Sequence, residues 1–160
     1  MGYDLTIGEA EFKVDKVGDD FVDNIQEECI RVTVAEVKHD NAPAFGEPTD
    51  YTNVRWPSYS SWAIFCEFAE LEHVFYEMDE HDNCTGHLRG GHPGVMPITP
   101  SVKEEVDRAY KRLKMQYKTV DPTLGIFETE VGGAWARVQW LKYWIDWSLE
   151  NCKVPVMVNT

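Results

Sequence analysis

Trp135-Ala-Arg-Val-Gln-Trp140-Leu-Lys-Tyr-Trp144-Ile-Asp-Trp147-Ser-Leu-Glu-Asn151-Cys152 holds four of the six tryptophans of the chain and reads as one helix. At about 100° per residue, Trp140, Trp144, Trp147 and Asn151 share a face, and Val138, Leu141, Ile145 and Leu149 cover the adjoining one. Only Gln139, Lys142, Asp146 and Glu150 form a polar strip, with Trp135 close to it at a start expected to fray. A helix apolar round so much of its circumference belongs at the centre of a domain. The rest of the chain is therefore read as packing round this segment.

Strands precede it. Gly2 to Ile7 and Ala10 to Val14 alternate apolar and polar residues around Gly8-Glu9, and Cys29 to Val37 repeats the alternation through Ile30, Val32 and Val34. Asp15 to Glu28 is an acidic connection with a turn signal at Gly18-Asp19-Asp20. His39 to Pro57, with three prolines and Gly46, reads as a long irregular loop. Ser58 then offers an N-cap to an apolar helix over Tyr59 to Leu71, which Val74, Phe75 and Tyr76 extend or follow with a second turn. Asp79 to Pro97, rich in Gly and His, reads as loop. Thr99-Pro100 starts a second helix by cap and first-turn proline, and Val102, Val106, Ala109, Tyr110, Leu113 and Tyr117 fall on its inner face. Asp121-Pro122 to Gly133 is a connection, and Val154 to Val158 is a terminal strand able to return to the sheet. The expectation is a single α+β domain over residues 1–160. Its small, largely antiparallel sheet combines N-terminal strands with the C-terminal one and packs against three helices, the tryptophan-rich helix at the centre.

With 28 acidic against 15 basic residues, the chain carries a formal charge of −13 and a pI near 4.7. That balance repels phosphate backbones and anionic lipid, so neither nucleic acid nor membrane is an expected partner, whereas a basic host protein is. No run approaches the roughly 18 apolar residues of a membrane span, and the N-terminus lacks the basic and apolar blocks of a signal peptide. A cytoplasmic protein is expected. Cys29, Cys66, Cys84 and Cys152 form no CxxC pair and read as reduced thiols. Met1 to Thr6 fits a myristoylation pattern formally, but Tyr3, Leu5 and Ile7 alternate like a strand, and no basic cluster supplies a second membrane signal. Asn83-Cys84-Thr85 is a glycosylation sequon only in a secreted chain.

Two segments carry chemistry. His81, Cys84, His87 and His92 supply nitrogen and sulfur ligands of the kind zinc prefers, within one glycine-containing loop. Their spacing matches no paired-knuckle arrangement, so the reading is solvated histidines with no metal, a metal-dependent hydrolase being the alternative. His92-Pro93-Gly94 reads separately as a turn.

The second segment is Asp50 to Trp62, where Asn53, Arg55, Trp56, Tyr59, Ser60 and Trp62 crowd a helix start whose free N–H groups favour an anion. Arg55 is suited to bidentate contact and Trp56 or Tyr59 to stacking. Arg137, Trp140, Trp144 and Asn151 extend this set from the tryptophan helix, because a polar group on a buried aromatic face needs a partner. The plainer account of the same residues is that Ser58 caps, Arg55 pairs with a carboxylate and the aromatics pack. No GxSxG elbow, phosphate-cradling glycine loop or HExxH is present, so no catalytic residue is assigned and no cofactor is implied.

Gly2-Tyr-Asp-Leu-Thr-Ile-Gly8, Asn53-Val-Arg-Trp-Pro-Ser-Tyr-Ser-Ser-Trp62, His92-Pro-Gly94 and Trp140-Leu-Lys-Tyr-Trp144 through Asn151-Cys152 together carry a resemblance. The chain resembles a group of small phage- and prophage-encoded proteins with no described function. The resemblance implies an accessory protein that acts by binding, and transfers no functional residue. The leading expectation is a non-catalytic pocket for a small, ring-containing anionic ligand, such as a nucleotide signal, where the Arg55 to Trp62 segment meets the tryptophan helix. An acidic inhibitor imitating nucleic acid is the competing one.

Overall fold

The computed structural model describes residues 2–15, 29–44 and 51–160; the expected acidic connection with its turn at Gly18-Asp19-Asp20, and Gly46, lie outside them. Among the described residues the chain runs β1 (Leu5–Glu9), β2 (Glu11–Asp15), β3 (Cys29–Thr33), β4 (Val54–Arg55), α1 (Tyr59–Phe68), α2 (Glu72–Phe75), β5 (Tyr76–Met78), β6 (Cys84–Leu88), β7 (Gly94–Pro97), α3 (Pro100–Tyr117), α4 (Glu130–Asn151) and β8 (Pro155–Asn159). The architecture is α+β. An antiparallel sheet of order β4-β1-β8-β7 forms the main layer, and β2–β3 and β5–β6 are separate two-stranded ladders.

Strand alternation explains the two faces of the main sheet. Leu5 and Ile7 of β1, Met157 of β8 and Met96 of β7 point into the large core shared with the helices. Val156 and Val158 point the other way, where Ala10, Val32, Val34 and Val95 complete a second, smaller cluster. Thus the C-terminal strand does return to the sheet, while of the N-terminal strands only β1 joins it; β2 and β3 pair with each other, from Glu11↔Thr33 to Asp15↔Cys29.

Each long helix starts where a side-chain cap permits. Ser58 Oγ accepts from Ser61 N at 3.1 Å ahead of α1, Thr99 from Val102 N at 3.3 Å ahead of α3, and Thr129 from Gly132 N at 3.0 Å ahead of α4. The last of these corrects the expected connection up to Gly133. The helix begins at Glu130, and Gly132 is needed there because a Cβ would lie 2.0 Å from Ile126 O. Trp135 is accordingly well inside the helix, stacked on Tyr117 and tilted against Tyr110 of α3 rather than frayed.

Trp140, Leu141, Trp144 and Ile145 are almost wholly buried, with Val138 and Ser148 beside them. On the α3 side the polar strip is used rather than solvated. Lys103 and Lys142 each bridge Asp107 and Asp146 at 2.7–2.9 Å, closing a four-membered ring of charge between α3 and α4. The expected loop over Asp79 to Pro97 contains β6 and β7. Gly and His have weak strand preference, so pairing with β5 and β8 decides these strands. Likewise the loop to Pro57 contains β4, two residues paired with β1.

Candidate functional site

The residues expected to form one ligand pocket fall into separate places. Asn53 is fully buried and spent: Nδ2 donates to Ile7 O and Ala35 O at 2.9 Å each, and Oδ1 accepts from Val37 N at 2.7 Å. Arg55 is buried with its guanidinium carbon 6.0 Å from the Trp140 ring centre, and Trp140 Nε1 donates to Thr52 O at 2.9 Å. Trp62 packs on Phe65 and Phe75, and Trp144 on His39, Tyr143 and Trp147. The segment and the tryptophan helix therefore do meet, as packed interior. Trp56 and Asn151 are exposed, Asn151 donating to Trp147 O. Arg137 lies elsewhere, over the Phe127 ring and bonded to Gly133 O.

Tyr59 and Ser60 have a different setting. They line a pocket of about 300 Å³ whose walls include Tyr3, Tyr76, Glu72 and Cys84. Tyr59 and Ser60 are the first two residues of α1, Glu72 opens α2, Tyr76 opens β5 and Cys84 opens β6. Tyr3 is placed by the chain just ahead of β1, which closes on the α1 start through Tyr3 N to Pro57 O at 3.0 Å. Glycine at position 2 permits this approach, since a Cβ there would lie 2.4 Å from Pro57 O.

Behind Tyr59 runs a chain of hydrogen bonds whose direction is determined. Asn159, fully buried in β8, donates Nδ2 to Gly91 O at 2.8 Å, so its Oδ1 faces His92 Nδ1 at 2.7 Å as the acceptor. His92 Nδ1 therefore carries a proton, and in the neutral imidazole Nε2 is left to receive the Tyr59 hydroxyl at 2.9 Å. The His92 ring is further held edge-on by Tyr3 and Tyr59, at centroid distances of 5.0 and 5.5 Å. Burial pushes the Tyr3, Tyr76 and Cys66 ionisations up, keeping all three neutral. Glu72 is the charged side chain of this pocket, and none of the described residues lining it is lysine or arginine.

The histidine loop thus enters the site in a way that ligand spacing did not suggest. His92 is engaged with Tyr59 and Asn159. Cys84 and His87 lie either side of Gly86, whose φ of 81° falls where the pairing of β6 with β5 is irregular. His81 sits in the turn ordered by Asp79, whose carboxylate accepts from His81 N and Asn83 N. Among the described residues no group of three or more His, Cys, Asp or Glu is placed to hold a metal ion.

A larger cleft of about 640 Å³ lies between β7, α2 and the start of α3, over Val74, Val95, Met96 and Val102. Several of its polar groups are occupied. Arg89 closes the α2 end through His73 O and Tyr76 O, His73 meets Glu105 at 3.2 Å, and Glu105 also takes Arg108. The smaller pocket has the directed polar group, and size alone does not make a site.

Tyr3, Tyr76, Glu72 and Asn159 are members that sequence reasoning missed. Tyr3 showed only as a strand residue and Tyr76 as helix extension or second turn, and neither Glu72 nor Asn159 carried a local signal. No helix among the described residues is long and apolar enough to cross a membrane. No family model matches the chain, and neither a curated protein nor a solved structure does.

Proposed function

We propose that the protein is a non-catalytic binding protein that takes a small, ring-containing ligand into the tyrosine pocket. The observation that carries this reading is the Asn159–His92–Tyr59 chain, which presents one oriented phenol at the mouth of a cavity walled by aromatic rings. Oriented polar groups on an apolar wall are what specify a small molecule, and about 300 Å³ is at the lower end of the roughly 300–1,000 Å³ usual for such sites. The ligand is thus small, close to a single ring with one polar substituent. In a phage-type accessory protein such a pocket would serve to withdraw a small host molecule.

Two-dimensional NMR of the labelled protein with a library of single-ring fragments tests this. Binding should shift the amides of Ser60, Cys84 and Gly86, and Tyr59→Ala should abolish those shifts while leaving the rest of the spectrum in place. Shifts confined to the larger cleft at Val74 and Val102, or their absence across the library, would count against the proposal.

A further inference from the structure

The direction of the hydrogen-bond chain fixes what Tyr59 can offer a ligand. The amide of Asn159 donates to Gly91 O, its carbonyl accepts from His92 Nδ1, and His92 Nε2 accepts the Tyr59 proton. With its proton turned to the imidazole, Tyr59 Oη can serve a ligand within reach only as an acceptor. Glu72 adds a carboxylate, which is acceptor-only when ionised. Tyr3, Tyr59 and Tyr76 also line it, and the face of an aromatic ring carries a negative quadrupole. Every one of these features is complementary to positive charge carrying N–H donors.

The α1 N-terminus, whose first residues also line the pocket, is of opposite sign, and the hydroxyls of Ser60, Tyr3 and Tyr76 are able to donate. A helix end is worth roughly half a positive charge before screening. Here Ser58 already takes the Ser61 N–H. The full negative charge of Glu72, not neutralised by any basic group lining the pocket, outweighs it. The net charge of −13 adds a field that concentrates cations at the surface.

Resting on the proposed ligand-binding role of this pocket, we infer that its ligand is a small organic cation, a protonated amine or amidine on an aromatic or other flat ring. The ammonium would donate to Tyr59 Oη and Glu72 and lie against the tyrosine rings, the arrangement by which aromatic pockets recognise cations. This reverses the sign suggested by Arg55, whose charge is buried against Trp140 on another side of the α1 start.

The test compares three probes of one shape on the full chain by NMR titration: benzylamine, benzyl alcohol and benzoate. Benzylamine should shift Ser60, Cys84 and Gly86, with affinity falling as salt is added, and the alcohol and the acid should bind about tenfold more weakly or not at all. Glu72→Gln should weaken benzylamine by about tenfold, and Tyr59→Phe, which removes Oη and keeps the ring, by a smaller factor. Equal or tighter binding of benzoate or benzyl alcohol at the same amides would overturn the cation inference and leave the pocket reading standing, as would Glu72→Gln without effect. Silence of these amides to all three probes would overturn the pocket reading itself. The probe comparison needs no variant, so it decides the matter even if Glu72→Gln does not fold.

Discussion

Replacing Asn53 separates a structural from a ligand-binding role for the residue that the sequence placed first in its candidate site. Its side chain makes three hydrogen bonds to main chain, to Ile7 O, Ala35 O and from Val37 N, joining β1 to the strand-like segment after β3. Asn53→Ala leaves these groups without their partner. At about 0.5–1.5 kcal/mol net per bond, the loss lies between roughly 1.5 and 4.5 kcal/mol, and complete burial of Asn53 places it near 3 kcal/mol. For a chain of 160 residues that corresponds to a fall in Tm of about 6–12 °C. Asn53→Asp keeps the shape but turns both donors into charged acceptors facing two carbonyl oxygens 2.9 Å away, which should cost several kcal/mol, beyond the alanine change. Urea unfolding followed by tryptophan fluorescence measures both. An alanine variant within about 0.5 kcal/mol of wild type, or an aspartate variant as stable as the alanine one, would refute the bracket role.

Other perturbations follow from the same structure. Trp144→Ala, at a fully buried position, should cost on the order of 3–5 kcal/mol in the same unfolding assay. For Asp107, burial alone would raise the carboxyl, but hydrogen bonds from Lys103 and Lys142 more than offset it and hold it below the usual range. The stability it contributes is therefore present above the unfolded value near 4 and lost as pH falls through the lower folded one; urea midpoints should show this acid slope in wild type and a smaller one in Asp107→Asn. Lys103, pushed up to about 12 by its bonds to Asp107 and then Asp146, contributes fully below the unfolded value of roughly 10.4 and loses that contribution as pH rises through about 12, so the alkaline limb should move in the same variant. Glu9 accepts from Val154 N at 2.7 Å and Lys153 N at 3.0 Å, which holds its carboxyl low, and Glu9→Ala should speed hydrogen exchange at both amides with little change elsewhere. Because no group of three or more His, Cys, Asp or Glu among the described residues is placed to hold a metal ion, chelation should leave Tm unchanged. A stoichiometric zinc signal lost on His87→Ala would contradict this placement.

The sequence by itself determined the elements whose signals are local. The period of Trp140, Leu141, Trp144 and Ile145 marks a buried helix because helical geometry places those positions side by side whatever surrounds them. Ser58 and Thr99-Pro100 mark helix starts because a cap acts within three residues. Alternation marks β1 for the same reason, and the short apolar run Val154 to Val158 marks β8. Only tertiary structure decided that β6 and β7 are strands, since their residues favour neither state and the pairing with β5 and β8 provides the missing free energy. It also decided that Asn53 and Arg55 turn inward as framework while Tyr59 opens on a pocket. The site joins Tyr3, Tyr59, Tyr76, His92 and Asn159, which are far apart in the chain. What brings Asn159 to His92 is the antiparallel register that sets it opposite Gly94, and register is a property of paired strands that no single segment encodes.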